Sequence, residues 1–239
     1  VASLAAGLRA APDGSKPGDD VTFRPTVMIH KGSALGTGTV IASAEGETLI
    51  LTASHVVDDP GPLTVDLNRF NLGLERVRDR AAFPRSLKAT IAARDPAADL
   101  AILVVRGQLA LPYVARIARG EAPPATGSAV TSIGFDLGSK LIGMTTTVRA
   151  VERLDLGKGG GERSFVVTEN PPEHGRSGGG LFREDGALVG VCVARAEFDK
   201  GPVKGVFTTL ANVKALLRAH QDLAQAVTRS SNRPRSPGR

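Results

Sequence analysis

The chain has 239 residues, enough for one large domain or two small ones, and its 41% hydrophobic share suits a globular core. The formal charge of +6 is concentrated at the end, with Arg229, Arg233, Arg235 and Arg239 among the last eleven residues. A basic face interleaved with aromatics is missing, so nucleic-acid binding is not expected. Apolar runs stay short of the roughly 18 residues that span a bilayer, and the lone Cys192 excludes an intramolecular disulfide.

Taken in order, residues 12–20 are polar and turn-forming and read as a linker. Short β-branched stretches follow at Thr26–His30, Gly38–Ser43, Thr48–Thr52, Leu63–Leu67, Ala89–Ala93 and Leu100–Val105. Between the fourth and fifth, residues 69–88 are polar and arginine-rich, as an exposed connection would be. A Pro/Gly-rich passage, Gly120 to Gly127, separates this series from a second one. The second comprises Val130–Phe135, Met144–Arg153, Ser164–Thr168, Ala187–Val193 and Val203–Thr208.

Leu210–His220 then changes period. Leu210, Val213, Leu216 and Leu217 fall on one helical face, and Thr209 or Asn212 is placed to cap the start. Many short strands with a closing helix point to an all-β sandwich or to barrels. The expected division is a 1–25 extension, a 26–119 unit, a 120–220 unit ending in the helix, and a 221–239 flexible basic tail.

Three segments carry chemistry. His174-Gly175-Arg176-Ser177-Gly178-Gly179-Gly180-Leu181 sets a serine in a glycine turn. Leu51-Thr52-Ala53-Ser54-His55-Val56-Val57 supplies a histidine at a strand end, and Asp95-Pro96-Ala97-Ala98-Asp99-Leu100 an aspartate before a strand. A serine hydroxyl is a weak nucleophile until a base reaches it and a third group orients that base. The order His55, Asp99, Ser177 decides nothing by itself, because any chain has some His, Asp and Ser in that sequence; the local settings carry the reading. Each residue alone has an ordinary structural explanation: a turn serine, an edge histidine, a solvated strand start.

Together with Gly36-Thr37-Gly38-Thr39-Val40-Ile41, these segments resemble the chymotrypsin-like serine peptidases, in particular the bacterial trypsin-like, high-temperature-requirement branch. The resemblance covers about residues 26–220. It implies two six-stranded antiparallel β-barrels with a C-terminal helix. It also implies a serine endopeptidase that works through an acyl-enzyme, without metal or organic cofactor. His55 takes the proton from Ser177, Asp99 orients His55, and the N–H groups of Gly175 and Ser177 form an oxyanion hole.

By the same resemblance the primary specificity pocket is lined by Pro171, His174, Val193, Ala194, Arg195 and Gly205, with Val193–Arg195 pairing to substrate as an added strand. Pro171 stands where trypsin has its pocket carboxylate, which leaves a small or medium apolar side chain as the expected preference. Arg195 and His174 at the rim suggest attraction of an acidic residue instead. Cys192, on a pocket-wall strand, is expected to be a small buried apolar residue.

Ser54 replaces the usual alanine of the histidine motif. A larger departure is Arg176, directly before the nucleophile. Digestive relatives carry an aspartate there that pairs with a new N-terminal amine after zymogen cleavage, and arginine cannot make that pair. Arg176 either points into solvent, pairs with a nearby acid, or misplaces the oxyanion loop. No peptide-binding PDZ extension is expected after the helix. The expected partner is a polypeptide substrate, and the expected state a monomer or small homo-oligomer. The alternatives are a catalytically silent binding or scaffold module of the same fold, and a protease that processes only itself.

Overall fold

A computed structural model describes residues 8–10, 19–68, 71, 86–107, 110–198 and 200–231. The first unit is a closed antiparallel barrel of β2 (Thr26–Lys31), β3 (Ala34–Ala44), β4 (Glu47–Thr52), β5 (Leu63–Asp66), β6 (Ser86–Asp95) and β7 (Leu100–Arg106), ordered β2-β3-β4-β7-β6-β5. The connection expected over 69–88 lies mostly outside the described residues, and its last three residues already belong to β6.

The second unit is built from β9 (Ala129–Asp136), β10 (Lys140–Leu154), β11 (Arg163–Thr168), β12 (Gly180–Phe182), β13 (Ala187–Glu197) and β14 (Val203–Thr209). Its pairings run β10-β11-β14-β13-β12-β9 and return to β10. The long β10 makes this closure possible, because Lys140–Thr147 pairs with β9 and Val148–Leu154 with β11. The short strands β1 (Leu8–Ala10) and β8 (Arg116–Ile117) add to β10 and β13. A single turn of helix, α1 (Asp19–Thr22), precedes the first barrel.

The nearly unbroken apolar runs of β4 and β7 follow from burial on both faces. Ile50, Ala101, Leu103 and Val105 fill the first barrel with Val27, Ile29 and Val65. Their alternating neighbours Leu49, Leu51, Leu100, Ile102 and Val104 join a second cluster, which includes Val130, Ile133, Val166, Leu181, Val191 and Phe207 of the second unit. One strand thus serves two cores, because successive side chains point to opposite faces. The two units are welded along β4 and β7, and the site lies at one end of that weld.

Helix α2 (Leu210–Ala219) begins at Thr209, whose hydroxyl accepts from the Asn212 N–H. That resolves the choice of cap. Leu210, Val213, Leu216 and Leu217 are buried as their spacing predicts. The expected tail over 221–239 needs correction, since Gln221–Ser231 forms a further helix, α3. Leu223, Ala224, Ala226 and Val227 pack it on the main core, and the Ser43 N–H donates to Ser230 Oγ at 3.1 Å. The arginines and polar residues at the chain end obscured this short amphipathic stretch. Residues 232–239 lie outside the described residues.

Candidate active site

Strands β4 and β7 run antiparallel, with Thr52 opposite Ala101. The end of one therefore meets the start of the other. A 3₁₀ turn, Ser54–Val57, follows β4 and carries His55, while Asp99 immediately precedes β7. The His55 Nδ1–H donates to an Asp99 carboxylate oxygen at 2.6 Å, and the His55 backbone N–H to the other at 2.9 Å.

The Asp99 side chain is 9% exposed and that of His55 38%. The imidazole is therefore open to solvent on one side while the carboxylate it donates to is enclosed. Asp99 has φ +50, left-handed backbone that aspartate tolerates better than most residues. The Ser54 N–H donates to the Asp99 carbonyl at 3.2 Å, which helps hold that turn.

Ser54 is buried, and its hydroxyl accepts from Arg94 Nη2 at 2.7 Å. Arg94 also pairs with Asp58, just past the 3₁₀ turn. The departure at Ser54 thus braces the segment that carries His55. A second histidine–carboxylate pair, His30 to Asp66 at 2.8 Å, is built differently. There Ser86 donates to Asp66 rather than to the histidine, so the three groups do not form a serine–histidine–carboxylate chain.

Ser177 lies on the loop between β11 and β12. Its carbonyl accepts from the Thr37 N–H of β3 at 2.8 Å, which ties the second unit to the barrel that supplies His55. A Cβ on Gly178 (φ +85) would sit 2.1 Å from the Thr37 carbonyl oxygen and 2.1 Å from Thr52 Oγ1, so only glycine lets the loop reach this depth. Gly36 marks the same convergence: a Cβ there would meet Val56 Cγ1 at 2.5 Å and the Ser177 carbonyl oxygen at 3.2 Å.

Around Ser177 the backbone donors divide into two groups. Arg176 N–H donates to Glu173 O at 3.2 Å, Gly178 N–H to Cys192 O at 2.8 Å, and Gly179 N–H to Arg176 O at 2.9 Å. The N–H groups of Gly175 and Ser177 have no acceptor among the described residues. These are the two donors expected to face an oxyanion.

Arg176 does not point into solvent; it is 0% exposed and is the largest fully buried side chain described. Its Nε and Nη2 donate to the two Asp136 carboxylate oxygens at 2.8 and 2.6 Å, and Nη1 to Ser132 O at 2.8 Å. Asp136, 40 residues upstream, had no local signal of its own. Thr37 was also missed in this role. Its hydroxyl donates to Gly175 O at 2.8 Å and accepts from the Phe135 N–H at 3.0 Å.

The predicted pocket segments are neighbours by register. Thr168 of β11 lies opposite Gly205 of β14, which lies opposite Arg195 of β13. A Cβ on Gly205 would meet Thr168 Oγ1 at 2.5 Å and Asn170 O at 2.9 Å. Pro171 is half-buried, His174 exposed, Val193 buried and Ala194 half-buried. Arg195 Nη1 lies 3.9 Å from a Glu173 carboxylate oxygen.

Glu169, the acid beside this cluster, accepts from Lys204 Nζ at 2.6 Å and pairs with Arg149 at 2.8 Å. The Lys204 hydrogen bond is the main cause that holds its carboxyl below the usual range. Cys192 is buried, and desolvation pushes its thiol up to about 12.

A double-barrel fold, with a histidine–aspartate pair at the end of one barrel and a glycine-set serine loop hydrogen-bonded to that barrel through Thr37, is that of a chymotrypsin-like domain. The family model described as trypsin-like peptidase domain matches residues 36–191, and the chain belongs to that family. It is 27% identical over 178 residues to the periplasmic serine endoprotease DegP of Salmonella typhimurium, covering 73% of this chain and 33% of that one. It is 28% identical over 160 residues to the serine endoprotease DegS of Haemophilus influenzae, covering 66% and 40%. The chain thus spans about a third to two fifths of the length of these curated relatives.

Among solved structures, the active form of the Rv3671c protease from M. tuberculosis aligns with TM-score 0.66 and 23% identity, covering 84% of this chain and 83% of that one. A serine endoprotease from Yersinia pestis aligns with TM-score 0.64 and 20% identity, covering 87% and 65%. Both share the fold. No helix among the described residues is long and apolar enough to cross a membrane.

Proposed function

We propose that this domain is a serine endopeptidase that cleaves polypeptides through Ser177, His55 and Asp99. The observation that carries the reading is the 2.6 Å His55–Asp99 hydrogen bond, at the barrel end to which the Ser177 loop is hydrogen-bonded through Thr37. Ser177 Oγ attacks the scissile carbonyl, His55 accepts its proton and returns it to the leaving amine, and Asp99 steadies the imidazolium. The N–H groups of Gly175 and Ser177 receive the oxyanion, and a water then hydrolyses the acyl-enzyme. The substrate lies as an added strand along Val193–Arg195.

The same reading assigns the primary pocket to Pro171, His174, Val193, Ala194, Arg195 and Gly205. Glu169 is already neutralised by Lys204 and Arg149, so it offers no free charge to a basic side chain. Glu173 beside Arg195 lowers the positive charge at the rim. Both favour a small or medium apolar residue on the acyl side of the cut bond. The silent-module alternative drew its specific support from Arg176 alone, and the burial of Arg176 against Asp136 favours an ordered loop over a misplaced one.

The test is labelling of the chain with a fluorophosphonate probe beside Ser177→Ala. Covalent labelling that requires Ser177 is the expected result, and an unlabelled parent overturns the proposal.

A further inference from the structure

The geometry points to Arg176 and Asp136 as positioning residues: their buried ion pair sets the oxyanion loop in its working conformation without any zymogen cleavage. This rests on Ser177 being the nucleophile. In the digestive relatives the residue before the nucleophile is an acid that waits for a new amino terminus. Here the charges are inverted and the partner is built in, on the last residue of β9.

The guanidinium is planar and offers its donors as a rigid fork. Nε and Nη2 meet the Asp136 carboxylate at 2.8 and 2.6 Å, while Nη1 reaches Ser132 O at 2.8 Å and Ile142 O at 3.4 Å. Fixing the fork on one acid and two carbonyls fixes the backbone of residue 176 as well. Gly134 leaves room for the stem, since a Cβ there would lie 2.7 Å from Arg176 Cγ.

The same corner controls the peptide that matters. The Leu137 N–H donates to His174 O at 2.7 Å. In a trans peptide the C=O and the following N–H point in opposite directions. Holding the His174 carbonyl on Leu137 therefore turns the Gly175 N–H the other way, and that N–H has no acceptor among the described residues. Thr37 fixes the next carbonyl, Gly175 O, at 2.8 Å. Phe135 to Leu137 thus acts as a receptor for the loop, with the ion pair as its clamp.

A buried ion pair is weak evidence for stability, because apolar residues of equal volume often serve as well. What it adds is direction, and direction can be tested by exchange. The experiment measures kinact and KI of the fluorophosphonate reaction at Ser177 for the parent, Asp136→Asn, Arg176→Lys, and the exchange variant Arg176→Asp with Asp136→Arg. The proton NMR signal of the His55–Asp99 hydrogen bond reports the rest of the site.

Loss of one oxyanion donor costs about 10²–10³ in rate, so Asp136→Asn should lower kinact by about 100-fold, with KI and the His55–Asp99 signal nearly unchanged. Arg176→Lys should retain part of kinact. The exchange variant should recover about tenfold or more over the weaker single variant, because the pair re-forms with its polarity reversed. Parent kinact in folded single variants overturns the inference. So does a folded exchange variant no better than the weaker single one; if the exchange variant does not fold, the folded single variants decide. An unlabelled parent overturns the site, and this inference with it.

Discussion

Thr52 and Ala101 sit opposite each other in the β4–β7 ladder, and that one register brings His55 within 2.6 Å of Asp99. Three residues beyond Thr52 and two before Ala101, the side chains leave the same end of the same strand pair. Because β4 and β7 are buried on both faces, a slip of one residue would exchange their two sets of apolar side chains between cores each packed for the other set, so packing on both sides holds the register. The geometry of the His55–Asp99 pair is thus secured by the two cores beneath it.

Replacing the orienting carboxylate tests this pair directly. Asp99→Asn removes the charge and favours the wrong imidazole tautomer, so kcat should fall by about 10⁴ with little loss of fold. Peptide hydrolysis, with the His55–Asp99 proton signal read on the same sample, checks it. A signal that persists with full activity contradicts the assignment.

Thr37 links β9, the Ser177 loop and the first barrel through one hydroxyl. Thr37→Val keeps the shape but strands the Phe135 N–H and the Gly175 carbonyl. An unmade buried hydrogen bond costs about 1–3 kcal/mol, a loss urea denaturation will resolve. The fluorophosphonate rate should drop further than that of a surface control.

Cys192 supplies a pH dependence. Its thiol is pushed up to about 12 by burial, so the native state holds its proton more tightly than the unfolded chain does. Stability is fully present below the unfolded value and declines as pH rises through it toward the folded one. Thermal melts of the parent should therefore weaken on the alkaline side, and Cys192→Ala should flatten that limb. At pH 8 iodoacetamide should leave the folded chain unmodified and label Cys192 only in denaturant.

Glu173 governs the rim charge. Glu173→Gln leaves Arg195 without its acid, and cleavage of a peptide library should shift toward Asp or Glu on the acyl side of the cut. The pair is exposed and 3.9 Å apart, so a shift of a few-fold is expected, diminishing with salt. An unchanged profile removes Arg195 from the specificity set.

Much of this was legible from local pattern. The strand runs and the α2 stripe depend on nearest neighbours along the chain, and period-2 or 3.6 spacing reports them directly; His55, Asp99 and Ser177 stood out because their local segments resemble known peptidase motifs. α3 was hidden because four small or apolar residues, Leu223, Ala224, Ala226 and Val227, gain their partners only from the assembled core. Arg176 shows the boundary most clearly. Its identity alone excluded the zymogen pair, but its role depended on an acid 40 residues away. Whether a buried charge is an error or an anchor is decided by the distance to its counter-charge. Distances between remote segments are set by how the strands close into barrels, and no local pattern encodes them.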